Sequence, residues 1–220
     1  MHPSLHAARL PDKPALIMAG TGETVTYSQL DARSNQGAHL FRTLGLTTGD
    51  GIAIFSENNA RFLDICWAAQ RAGLYFTCIS SRLTAGEIAY IVKDCGAKAL
   101  IASHTLAKAA GETAPLIEDV KLFMLGGTIP GFESYEAATA AMPQTPIADE
   151  TSGTDMLYSS GTTGRPKGIR SPLSGMPIDT PSPLLPLVMM LFGMNEDTIY
   201  LSTAPLYHAA PLRYSMSVQR

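Results

Sequence analysis

From Gly49 to Leu125 the chain alternates short apolar runs rich in β-formers with longer segments of helical period, and this alternation limits the fold more than any other feature. A strand that reads as a near-continuous apolar run is buried on both faces, and a helix between two such strands carries the chain back for a parallel pairing. The expected fold is α/β, with stacked β-α units around a largely parallel sheet. Ile52–Phe55 predicts the first strand. Asn58 or Asn59 then caps a helix with Phe62, Ile65, Cys66 and Ala69 on one stripe, closed at Gly73. Leu74–Ile79 predicts the next strand.

The cycle repeats when Thr84, followed three residues later by Glu87, opens a helix through Ile88, Ile91, Val92 and Cys95 that stops at Gly96. Ala99–Ala102 and Lys121–Leu125 predict two more strands, with a short helix over His104–Glu112 between them. Upstream, Ser28–Leu44 predicts a helix with Leu30, Phe41 and Leu44 on its buried side. Ala137–Thr154 lacks periodicity and reads as a surface connection. Five prolines between Pro172 and Pro186 exclude a regular helix across Ser171–Pro186, and the apolar stretch Leu184–Met194 after them predicts a buried helix. That stretch is too short to span a bilayer, which leaves peripheral membrane contact as the alternative for it.

Several functional classes are disfavoured. A net charge of −3 gives no basic field for a nucleic-acid backbone. The three cysteines, Cys66, Cys78 and Cys95, have neither the even count of a disulfide framework nor a metal-ligand spacing, so no metal site is expected and a reducing cytoplasm fits. The first ten residues lack the apolar core of a secretory signal.

The chemically informative stretch is Tyr158-Ser159-Ser160-Gly161-Thr162-Thr163-Gly164-Arg165-Pro166-Lys167-Gly168. Polyphosphate binding needs convergent backbone N–H groups, which Gly161 and Gly164 permit. The hydroxyls of Ser159, Ser160, Thr162 and Thr163 add neutral donors, and Lys167 adds a compact charge suited to β- and γ-phosphates. A Walker A loop does not fit, because counting from Gly161 puts Pro166 where the second glycine belongs and Gly168 where Ser or Thr belongs. No G-x-G-x-x-G follows a strand, so a dinucleotide fingerprint is absent too.

This stretch resembles the phosphate-loop signature of the adenylate-forming superfamily, which includes acyl-CoA synthetases, luciferases and the adenylation domains of peptide synthetases. Val25-Thr26-Tyr27, Gly49-Asp50, Arg71-Ala72-Gly73, Arg82-Leu83-Thr84 and Gly96-Ala97-Lys98 follow the same family's N-terminal layout. A second family-like block, Leu201–Leu212, contains Tyr207 and His208, and the resemblance places that pair at the acyl pocket. His2, His6, His39 and His104 have no such context and read as structural.

The resemblance implies a two-step reaction with ATP, Mg2+ and coenzyme A: a carboxylic acid, in particular a fatty acid, becomes acyl-AMP and then acyl-CoA, with Lys167 as the catalytic residue. It also implies that residues 1–220 form the N-terminal part of the large AMP-binding domain, with the phosphate loop at 158–168. The family's Tyr-Gly-x-Thr-Glu and Thr-Gly-Asp segments and its C-terminal domain are not in this sequence, so the 220 residues are expected to be inactive alone and to self-associate through an exposed apolar face. Two other readings stay open: a relative with a non-CoA acceptor, and a non-catalytic nucleotide-binding or interaction module. After Lys167 the sequence departs from the many relatives that continue with a Thr-His pair, which leaves the substrate subclass open.

Overall fold

A computed structural model of the chain describes residues 2–159, 165–181 and 184–220. Its elements in chain order are α1 (Pro3–Arg9), β1 (Pro14–Ile17), β2 (Thr24–Thr26), α2 (Tyr27–Thr43), β3 (Gly51–Phe55), α3 (Phe62–Arg71), β4 (Tyr75–Ile79) and α4 (Ala85–Asp94). There follow β5 (Ala97–Ser103), α5 (Ala107–Thr113), β6 (Lys121–Leu125), β7 (Glu133–Ser134), α6 (Tyr135–Ala140), β8 (Thr154–Asp155), β9 (Leu157–Ser159), β10 (Lys167–Ile169), α7 (Leu184–Phe192) and α8 (Ala209–Val218). Six strands form one sheet in the order β7-β6-β5-β3-β4-β8; it is parallel, as the alternating pattern predicts, and the short outer strands β7 and β8 add to the four that the pattern indicates.

The strand period of two divides the core between the two faces of the sheet. Ile52 and Ile54 of β3 join Phe76, Ile101 and Phe123 on the face covered by α2, α3 and α6. Ala53 and Phe55 join Leu100, Ala102 and Met124 on the face covered by α4 and α5. Helix α2 opens on a capping box between Thr26 and Gln29, and α4 on the one between Thr84 and Glu87 that the sequence indicates. Helix α3 ends before Gly73, which takes a positive φ of 69° that side-chain-bearing residues rarely adopt.

Three expectations are corrected. Every residue of α3 is buried, Asp64, Gln70 and Arg71 included, so it does not present a single stripe. The helix runs between the sheet on one side and α2 on the other, while Trp67 reaches α8 through an indole N–H that donates to Gln219 Oε1 at 2.7 Å. Part of the expected connection after Ala137 is helical: Ser134 caps α6 by accepting the Ala137 N–H at 3.2 Å. Helix α7 forms where a helix is expected but is not buried. Of its residues only Val188 lies inside, while Met190 is 75% and Phe192 59% exposed. The stretch is apolar all round, and α8, touching it through Phe192 and Tyr214, covers one side only. Among the described residues no helix is long and apolar enough to cross a membrane.

His2 is fully buried with its ring edge-on to Trp67 at 5.1 Å, so its role is structural, as expected. His6 is also engaged, its Nε2 lying 2.8 Å from the Arg220 carbonyl. Burial, reinforced by the Arg71 and Arg220 charges, pushes the His2 imidazole from its ordinary 6.5 down to about 2. The folded chain therefore keeps His2 neutral where the unfolded chain protonates it, and this contribution to stability is complete above pH 6.5 and shrinks as pH falls. Replacing His2 by Asn should flatten the pH dependence of the unfolding free energy from denaturant titration below 6.5 relative to wild type, by up to about 1.4 kcal/mol per pH unit. Trp67 fluorescence reports the transition, and identical slopes in the two proteins would remove His2 from this role.

Candidate functional site

The two flanks of the glycine- and hydroxyl-rich stretch pair as antiparallel strands beside the edge of the main sheet. Strand β8 pairs with β4, Met156 turns inward to the core, and β9 then pairs with β10 in the register Leu157↔Ile169, Tyr158↔Gly168 and Ser159↔Lys167. Residues Ser160, Gly161, Thr162, Thr163 and Gly164 lie outside the described residues. The structure brings their two flanks together, because Ser159 and Lys167 are opposite one another in the ladder. Both are exposed.

Lys167 thus projects from a strand end and not from the first turn of a helix, the arrangement of a Walker loop. Gly168 has a packing reason: a Cβ there would lie 2.6 Å from Met156 Cε and 2.9 Å from Tyr158 Cζ. The Tyr158 ring therefore lies close over the Gly168 backbone, and its hydroxyl donates to Asp94 Oδ2 at 2.5 Å. Burial and the Asp94 carboxylate push the Tyr158 phenol upward, so it remains a donor at neutral pH.

The second block is fastened to the end of β3 by one side chain. Asn58 Nδ2 donates to the Ala204 carbonyl at 3.1 Å, and Asn58 Oδ1 accepts the Leu206 N–H at 2.8 Å. Asn58 is therefore committed here and neither asparagine caps α3, contrary to expectation: the N-cap residue is Arg61, without a side-chain cap, and Asn59 accepts the Arg61 N–H in the turn before the helix, at 2.9 Å. Leu206 is buried, Tyr207 half-buried and His208 exposed. His208 is the N-cap residue of α8, and its ring lies 4.5 Å from that of Tyr207. One turn into α8, Arg213 grips Asp155 with Nη2 at 2.8 Å and Nε at 3.2 Å from Oδ2.

Both blocks are thereby tied to the same end of the molecule, the hairpin as the continuation of β8 and α8 through Asp155 of β8. Among the described residues no hydrogen bond, ion pair or ring contact joins Lys167 directly to Tyr207 or His208. An apolar cavity of about 380 Å3 lies between α7 and α8, with walls that include Phe192, Met194, Tyr200, Pro211 and Tyr214. Tyr207 and His208 are not among its walls. Asn58, Asp94, Asp155 and Arg213 complete the site's frame, and sequence reading alone does not single them out. Their partners are 58 to 148 residues away, and no local spacing encodes such pairs.

Asn58→Ala removes both anchors of the 204–206 segment. The expected loss is about 1–2 kcal/mol in chemical unfolding, with faster proteolysis between residues 195 and 208. Unchanged cleavage there would show that the segment is held by other contacts.

The AMP-binding enzyme family matches residues 4–218, nearly the whole chain. Long-chain fatty acid transport protein 1 of Homo sapiens is 35% identical over 170 residues, covering 72% of this chain and 26% of that protein. A fatty acid acyl-carrier-protein ligase, ScoC, of Streptomyces coeruleorubidus is 30% identical over 171 residues, covering 76% of this chain and 31% of that protein. The chain thus spans only about a quarter to a third of the length of these relatives. Among solved structures, the acyl-CoA synthetase of Brucella canis superposes with a TM-score of 0.78 over 99% of this chain and 41% of its own, at 20% identity, a likeness of fold. With a family model matching nearly its whole length, the chain belongs to the AMP-binding enzyme family.

Proposed function

We propose that this chain provides the phosphate-holding and acid-facing parts of a ligase that activates a fatty acid with ATP and passes the acyl group to coenzyme A. The observation that carries the reading is the hairpin, whose last ladder pair sets Lys167 opposite Ser159 at the two ends of the Ser/Gly/Thr loop. In the first step a carboxylate oxygen of the acid attacks the α-phosphorus of ATP, the bond to the bridging oxygen breaks, and pyrophosphate leaves as acyl-AMP forms. In the second, the thiol sulfur attacks the acyl carbonyl, AMP leaves with the electron pair of the broken C–O bond, and the thiol proton passes to solvent.

Lys167 and the loop Ser159–Gly164 hold the β- and γ-phosphates, neutralising charge that grows on the leaving pyrophosphate. Positioning and charge neutralisation of this kind carry most of the catalysis in phosphoryl and nucleotidyl transfers. Tyr207 and His208 face the acid from the block that Asn58 fixes. Mg2+ accompanies the nucleotide and supplies further neutralisation of its phosphates. Because the chain spans a fraction of its relatives' length, the full reaction is proposed for a protein of the relatives' length that contains this chain, and the 220 residues alone are expected not to complete it. The acceptor is the open element: one relative is named for ligation to an acyl-carrier protein, which supports testing a carrier protein beside coenzyme A.

The deciding measurement is acid-dependent ATP–pyrophosphate exchange across short, long and aromatic carboxylic acids, on this chain and on any longer product of its gene, with each acceptor then added in turn. Lys167→Ala should lower the exchange about 100-fold, or ~3 kcal/mol of barrier, in a protein whose unfolding transition is unchanged. ATP binding with no exchange for any acid in a folded protein of the relatives' length would leave a nucleotide-binding module in place of a ligase.

A further inference from the structure

Strand β10 has little to hold it in place. It is three residues long, its residues Lys167, Gly168 and Ile169 are all exposed, and among the described residues it pairs with β9 alone. Isolated two-stranded hairpins are marginal in water, and short exposed strands specify register weakly. A slip by one residue would turn Lys167 to the opposite face.

The same contact is built at each end of this strand. On the loop side, the Arg165 guanidinium lies over the Tyr90 ring at 5.2 Å, and the Tyr90 hydroxyl donates to the carbonyl of the next residue, Pro166, at 3.2 Å. On the far side, the Arg170 guanidinium lies over the Tyr75 ring at 4.2 Å, and the Tyr75 hydroxyl donates to the carbonyl of the next residue, Ser171, at 2.7 Å. Each clasp is an arginine stacked on a tyrosine that also captures the following carbonyl, and the two bracket Lys167-Gly168-Ile169. The tyrosines stand on the frame, Tyr90 on α4 and the buried Tyr75 at the start of β4. Arg170 is tied down again by donating to the Gly49 carbonyl at 2.9 Å.

We infer that Tyr90 and Tyr75 are positioning residues for Lys167, the paired clasps locking the register of β10 and so the face on which the lysine is presented. A one-residue slip would take both guanidinium groups off their rings and both carbonyls away from their hydroxyls at once, so the register is specified twice. The value of this lock for phosphate binding rests on the function proposed above, whereas the lock itself does not.

The register can be read by NMR on the 220-residue chain through cross-strand NOEs for Leu157–Ile169, Tyr158–Gly168 and Ser159–Lys167, together with millisecond hydrogen exchange over residues 165–171. Arg165→Gln and Arg170→Gln are surface changes that spare the buried Tyr75, and Tyr90→Phe keeps the ring while removing the hydroxyl. The expectation is a small effect from either arginine change alone. The double variant should lose the native cross-strand NOEs and exchange about 10-fold faster in this segment than the product of the single effects, with β3 to β6 unchanged. Tyr90→Phe should fall between wild type and Tyr90→Leu.

Native NOEs retained in the double variant, or faster exchange spread equally over the main sheet, would overturn the lock. Loss of the NOEs with unaltered ATP binding would uphold the lock and count against the phosphate reading, so the two can fail separately.

Discussion

Burial of β3 on both faces is the constraint on which the rest of this structure depends. Ile52, Ala53, Ile54 and Phe55 are all fully buried, which is possible only with strands on both sides and helices above and below. The chain meets that demand by placing β4 on one side of β3 and then crossing to place β5 on the other. The crossing sends α3 and α4 to opposite faces and leaves β4 as the edge to which β8 is added. The hairpin carrying the Ser/Gly/Thr loop starts from that edge, so its location follows from how the first strand is covered.

Enclosing α3 completely has an electrostatic cost that the structure offsets locally. Arg71 is wholly buried at the end of α3, where it meets Asp31 at 2.9 Å and Glu150 at 3.0 Å and donates to Ser34 and Asn35. Asp64, equally buried, lies between Arg33 and Arg61 at 3.6 and 3.3 Å. Burial still raises its carboxyl to about 7, ahead of the lowering by the two arginines. Removing one partner of such an enclosed pair would leave a buried charge uncompensated, which is strongly destabilising. Through these pairs α3 is tied to α2 and to the segment before β8, which makes the least strand-like part of the core also the part that joins distant stretches of chain.

The parallel sheet was legible in the sequence because its information is local. Apolar runs, the Thr84 and Glu87 box and the glycine ending α3 each act within a few residues, and the strands at 51–55, 75–79 and 121–125 fall within one residue of where those signals put them. The misjudged elements depend on surroundings. An apolar run such as 184–192 states that burial would be favourable but not what is available to cover it, and the all-round burial of α3 depends on α2 and α8 arriving from elsewhere. Of the candidate site, residue types and loop chemistry could be read directly. Its frame could not, because the Asn58, Asp94, Asp155 and Arg213 contacts join positions far apart in sequence.

One of those contacts links the two halves of the site mechanically. Asp155 is held by Arg213 of α8 and stands four residues before Ser159, a run of roughly 13 Å at the rise of an extended chain. Between them Met156 is anchored in the core, so the segment has a fixed point next to the place where α8 grips it. The helix that begins at His208 and the strand that ends at Ser159 are therefore fastened through two consecutive residues, Asp155 by an ion pair and Met156 by burial, so the separation of the two blocks is set by one short stretch of chain.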